Sequence, residues 1–249
     1  MKITPKMQVE VFHLLFLQQL SGQTVANRYA IKGGCNLRFF FDSVRYSEDL
    51  DIDVAIMQKH TLENKVNKIF QSPAFLKLLQ EYAIHRITFS SPKQTQTTQR
   101  WKIQLHGDFV MPLHTKIEFS RRAEKYSGEL GNVTVKICQQ YHLAPLRLSH
   151  YGIHEAISQK IAALAHRSQT QARDIFDLYH LLHIASPKQL SITKNTENAA
   201  LLALQSIHFS DYQSQVVNFL ESDRQKLFNH KNYWQEMVTT VKNYLENTS

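Results

Sequence analysis

The chain has 249 residues, 43% hydrophobic and 20% charged, which suits one large globular domain or two small ones and excludes a disordered or low-complexity chain. Its 29 Lys+Arg outnumber 21 Asp+Glu to give a net charge of +8, and this favours a polyanionic partner, nucleic acid first. Two cysteines without metal-ligand spacing or a disulfide framework imply a reducing cytosol, and no run reaches the roughly 18 apolar residues of a membrane span.

Thr4-Pro5 offers an N-cap and a first-turn proline to an opening helix that Gly22 ends. Glu10, His13, Gln18 and Gln19 interrupt its apolar run, which argues against a signal peptide. Residues 28–31 read as a strand running into Gly33-Gly34, and 35–41 as a short apolar helix whose three phenylalanines are simplest as core. Cys35 lies in this turn, with no base in the sequence to make it a nucleophile.

The acidic strand at 47–54 follows. Side chains of an extended chain alternate, so Ser47, Asp49, Asp51 and Asp53 share one face and Leu50, Ile52 and Val54 the other. Three acids on one face repel unless a cation sits among them, and such oxygen ligands suit Mg²⁺, with phosphates and water completing its shell. Side-chain-free glycines let backbone N–H groups approach a phosphate at a helix start. An acidic run alone reads as a solvated loop and a Gly-Gly alone as a turn; together, in this order, they describe a site for a nucleotide triphosphate and its metal.

The combination resembles the nucleotidyltransferase superfamily of DNA polymerase beta. Lys-Gly-Gly-x-x-Leu at 32–37 and Arg-x-Ser-x-Asp-Leu-Asp at 45–51 resemble, more narrowly, the AbiEii-type nucleotidyltransferase toxins of bacterial toxin–antitoxin and abortive-infection systems. The resemblance implies an α+β fold, with a nucleotidyltransferase-like mixed β-sheet core and flanking helices followed by a helical C-terminal region.

Further along, 61–70 and 73–82 read as helices, and 84–89 and 101–106 as alternating strands. The polar stretch 90–100 between them reads as an exposed connection whose Lys93 and Arg100 could touch nucleic acid or merely be solvated. Residues 113–120 form the next strand, with Lys116, Glu118 and Ser120 on one face, and 133–138 a last one. The resemblance implies Glu118 as a third metal-binding carboxylate; a salt bridge to Lys116 or Arg121 is the plainer alternative.

From about Ser149 the chain turns helical. Ile153, Ile157, Lys160 and Leu164 make one stripe on which Lys160 is the only charge, so it either snorkels to water or meets an anion. Asp174, in the first turn of a helix at 173–179, could serve the helix dipole alone. AbiEii-type toxins carry a helical Lys followed by an Arg, then an Arg-Asp-x-x-Asp-Leu helix. Lys160, Arg167 and the run from Arg173 match this pattern, which implies site roles for Lys160 and Asp174. His180 and His183 share a helix face without zinc-site spacing. Beyond Ser186 three or four amphipathic helices are expected, at 195–207, 212–219, 223–228 and 233–245.

Two domains are therefore expected: 1–148 as the nucleotidyltransferase core and 149–249 as a helical domain contributing Lys160 and Asp174 to the cleft. The expected chemistry is Mg²⁺-dependent transfer of a nucleotide from an NTP. Asp49 and Asp51, with Glu118, would hold the metal; Lys32, Gly33, Gly34, Arg45 and Ser47 would hold the nucleotide; Lys160 and Asp174 would complete the catalytic set. The resemblance implies a tRNA 3′ end as acceptor, a cytoplasmic location and a cognate antitoxin. The alternatives are AMPylation of a protein hydroxyl and a catalytically silent nucleic-acid- or antitoxin-binding module.

Overall fold

The computed structural model describes residues 3–122, 128–185, 190 and 192–247. The chain divides into two compact units, Met1–Phe40 with Tyr46–Tyr151, and Phe41–Arg45 with Gly152–Ser249.

The first unit is built on a seven-stranded mixed sheet. Its strands are β1 (Tyr29–Lys32), β2 (Leu50–Val54), β3 (Ile84–Gln94), β4 (Thr98–Gly107), β5 (Leu113–Ser120), β6 (Glu129–Asn132) and β7 (Arg147–His150), in the spatial order β3-β4-β5-β2-β1-β7-β6. β1 runs antiparallel to β2, and β2 parallel to β5, which sets Lys32 beside Asp51 and Asp51 beside Glu118. Helix α1 (Pro5–Gln23) is capped by Thr4, whose side chain accepts from the Met7 N–H, and it buries residues all round its circumference. The buried Glu10 on it is matched by Arg38 of α2 (Gly33–Phe40), Nε to Oε1 2.6 Å, and by the Tyr141 hydroxyl. Helices α3 (Lys59–Phe70) and α4 (Pro73–Gln80) pack beside α1, with Phe70 and Phe75 against Phe12.

Three local readings are corrected. The stretch 90–100 is no free connection: both strands continue into it and turn over at 95–97. The reason is long-range, because Thr98 pairs with Ser120 on β5 and the buried Gln99 donates to the Lys59 carbonyl. Residues 133–138 are not a strand. Val133, Ile137, Cys138 and Tyr141 are buried at helical spacing, while Val135 is exposed, so the segment folds as α5 (Val135–Gln140). Ser149 is not a helix start, because it lies in β7, which pairs in parallel with β1.

The second unit is helical, with α6 (Ile153–His166), α7 (Ala172–Ile184), α8 (Lys194–Gln205), α9 (Phe209–Gln215), α10 (Ser222–Phe228) and α11 (Lys231–Glu246). These four last helices match the expected amphipathic series, although Ser186 itself lies outside the described residues. Among the described residues no helix is long and apolar enough to cross a membrane.

Candidate active site

In the first unit the turn from β1 into α2 brings backbone against carboxylate. Gly33 stands at φ +67°, and a Cβ there would lie 3.2 Å from Asp51 Oδ2. The left-handed backbone and the close approach both require glycine. Gly33→Ala is expected to cost about 1–2 kcal/mol in stability and to displace the Asp51 carboxylate. Thermal melting and nucleotidyl transfer should both fall; a variant normal in both would dismiss the close approach.

β2 alternates as the sequence requires, with Leu50, Ile52 and Val54 buried and Asp51 and Asp53 half-buried on the other face. Asp49 immediately precedes the strand, and its backbone carbonyl accepts from Ser47 Oγ at 2.8 Å and from Cys35 Sγ at 3.3 Å. The preceding carbonyl, of Glu48, accepts from Thr115 Oγ1 at 2.7 Å, and Thr115 in turn meets His13 Nε2 at 2.7 Å. Burial lowers the His13 pKa to about 4 and pushes the Cys35 thiol well up, so both are neutral and serve as hydrogen-bonding struts. Ser47 thus holds the acidic segment by its backbone.

The acids have distinct partners. Asp53 receives Lys32 Nζ at 2.6 Å and the Tyr151 hydroxyl at 2.8 Å. Asp49 lies 3.0 Å from Lys116 Nζ. Glu118 is held by Arg100 at 2.6 Å, not by Lys116 or Arg121. Among the described residues no cation lies within ion-pairing distance of Asp51. Burial raises its carboxyl pKa; Lys116 and Lys32 pull it back, while Asp49 and Glu118 push it further up.

This donor set fits a hard cation in part. Asp49 and Asp51 offer oxygen ligands, the charge of Asp51 has no ion-pair partner among the described residues, and Mg²⁺ commonly uses one or two carboxylates. Among the described residues no group of three or more His, Cys, Asp or Glu side chains is arranged to hold a metal. Glu118, although in register with Asp51, has its carboxylate drawn onto Arg100.

Three candidates lie in the second unit. Asp174 and Asp177 on α7 are fully buried. Arg45 grips Asp177 with two bonds, of 3.0 and 2.8 Å, and Lys160 Nζ reaches Asp177 at 2.5 Å and Asp174 at 3.1 Å. Arg167 Nε lies 2.9 Å from Asp174 Oδ2, a charge contact without hydrogen-bond alignment. The choice left open for Lys160 is decided: it meets anions, and they are the chain's own carboxylates. Arg45 belongs to this cluster through its two bonds to Asp177.

Sequence reasoning missed Lys116, Asp177, Tyr151 and His13. Lys116 had a signal, being two residues before Glu118 on an alternating strand, and so did Asp177, three residues after Asp174 on a helix. Nothing local marks Tyr151 or His13, whose partners lie 98 and 102 residues away.

A sequence model of the family described as "Nucleotidyl transferase AbiEii toxin, Type IV TA system" matches residues 15–247. The chain belongs to the AbiEii family. It is thus a nucleotidyltransferase of a toxin family. No curated protein matches the sequence. Among solved structures the AbiEii chain is similar to JHP933 from Helicobacter pylori, at 18% identity over 97% of this chain and 94% of that one, with a TM-score of 0.56. It is also similar to MenT4, a nucleotidyltransferase toxin from Mycobacterium tuberculosis, at 16% identity over 98% and 85%, with a TM-score of 0.61. At such identities the likeness bears on the fold, and it agrees with the mixed sheet and flanking helices read from the motifs.

Proposed function

We propose that this chain transfers a nucleotide from an NTP to the 3′ end of a tRNA in the bacterial cytoplasm, with Mg²⁺ as cofactor and a cognate antitoxin as its restraint. One observation carries the reading: the undercompensated Asp51 carboxylate lies against the Gly33 turn, with Asp49 two residues before it. A metal would answer the excess negative charge, and the phosphates it carries would meet the backbone of the glycine turn.

Asp49 and Asp51 would hold the metal, and Glu118 could join them on releasing Arg100. When bound, Mg²⁺ supplies Lewis-acid polarisation of the phosphates and lowers the pKa of the attacking hydroxyl. The Gly33 and Gly34 amides would receive phosphate oxygens, and Lys32, freed from Asp53, would add a positive charge. Ser47 fixes the backbone that presents Asp49. Lys160, held by Asp174 and Asp177, would neutralise charge on the departing pyrophosphate, and Arg45 supports it through Asp177. The acceptor oxygen bonds to the α-phosphorus as the bond to the β-phosphate breaks.

The test is incubation with each labelled NTP, total tRNA and cell extract, with and without Mg²⁺. Label in tRNA that EDTA abolishes is the expected result. Label in protein would transfer the reading to AMPylation, and no label with any nucleotide would overturn it.

A further inference from the structure

Strands β3, β4 and β5 extend the sheet beyond the carboxylates, and their composition is lopsided. They carry five Lys and Arg residues, Arg86, Lys93, Arg100, Lys102 and Lys116, against one carboxylate, Glu118, which Arg100 neutralises. Alternation buries Trp101, Ile103, Leu105 and Ile117 and turns Lys102, Gln104 and His114 to solvent. This outward face adjoins the acids directly, because Lys116 touches Asp49.

Lys102 and Lys116 are register partners on neighbouring strands. Like charges directly opposite destabilise a sheet. Asp49 relieves Lys116, but among the described residues no carboxylate lies within ion-pairing distance of Lys102. His114 stands opposite Gln104, and Arg86 opposite His106, with 3.4 Å between the guanidinium and the ring Nδ1. A local electrostatic cost kept on an exposed face is what an external anion would offset. The outward positions of these strands include no Phe, Tyr or Trp, and their rings are imidazoles, such as those of His106 and His114, so the chemistry offered is chiefly for phosphate and ribose.

We infer that the outward face of β3, β4 and β5 is the track on which the phosphate backbone of the RNA acceptor lies, with Lys102 and Arg86 as its principal cations beyond the site. The inference rests on the reading of an RNA acceptor and adds where and how that RNA is held: chiefly through its backbone. Strands are about 4.8 Å apart, so Lys102 lies one strand beyond the lysine that meets Asp49. RNA on this face would run directly toward the carboxylates.

The experiment measures binding of labelled total tRNA to the full chain without NTP, over a series of salt concentrations, for the wild type and the double variant Lys102→Gln, Arg86→Gln. Neither residue is assigned to the transfer site. Affinity should fall roughly tenfold near 0.1 M salt, and the slope of log affinity against log salt should flatten by about 1.4, for two phosphate contacts at roughly 0.7 each. Melting temperature should hold or rise, because the Lys102–Lys116 repulsion is gone, which separates lost contacts from lost folding. Wild-type affinity and slope in the double variant would overturn the track while leaving nucleotide transfer to tRNA intact. A wild-type protein that labels protein and binds tRNA with a flat salt response would overturn both the track and the RNA acceptor. A variant that binds tRNA normally but loses an acidic protein partner would reassign the face to protein.

Discussion

Asp51→Asn will lower nucleotidyl transfer at least ~100-fold while the protein stays folded and becomes more stable near neutral pH. Asparagine keeps the size of the side chain and one acceptor oxygen but removes the charge. The native pKa of Asp51 is raised, chiefly by burial, so the native state holds its proton more tightly than the unfolded chain does. Stability linked to this group is therefore present below the ordinary carboxylate value and is lost as pH rises through the raised one. Above that window the ionised carboxylate is a net cost, which the amide removes. Comparing thermal unfolding of the two proteins at pH 4 and pH 7 checks the sign: the variant's advantage should appear at pH 7 and shrink at pH 4. An Asp51→Asn protein with wild-type transfer in saturating Mg²⁺ would remove this residue from the site.

The second large effect falls on stability. Asp177→Asn will destabilise the protein by about 3–5 kcal/mol, because it leaves Arg45 and Lys160 buried with one carboxylate fewer. Those two cations hold the Asp177 carboxyl well below the usual carboxylate range despite its burial. The sign is opposite to that of Asp51. A depressed native pKa gives stability that is full above the unfolded value and is lost as pH falls below about 4. The wild type should therefore lose stability steeply on acidification, and Asp177→Asn less so, with a melting temperature at pH 7 lower by on the order of 10 °C. Equal melting at pH 7 would mean that the cluster's charges are balanced elsewhere. Lys160→Met likewise leaves Asp174 and Asp177 short of a cation and should destabilise.

How far the sequence could be read depended on the distance between partners. The glycine turn, the alternation of Asp49, Asp51 and Asp53, the Thr4 cap and the stripe bearing Lys160 were all legible, because each is set by residues within a few positions of one another. Segments 90–100 and 133–138 were not. In the first, strand formation rests on pairing with β5; in the second, a three-residue alternation also fitted helical spacing, and burial decided between them.

The sequence by itself carried the motifs through which the chain resembles its family and the α+β class that resemblance implies, and it placed the carboxylates on one face and the glycines in a turn, since strand alternation and glycine's backbone freedom act locally. Only the tertiary structure decided which charge meets which: Lys116 with Asp49, Arg100 with Glu118, and Arg45 with Asp177 across 132 residues. It alone, among the described residues, left Asp51 with no cation at ion-pairing distance and set two lysines opposite each other on neighbouring strands. Strand order and register set those encounters, and both follow from burial of the whole apolar face at once, which no short stretch of sequence records.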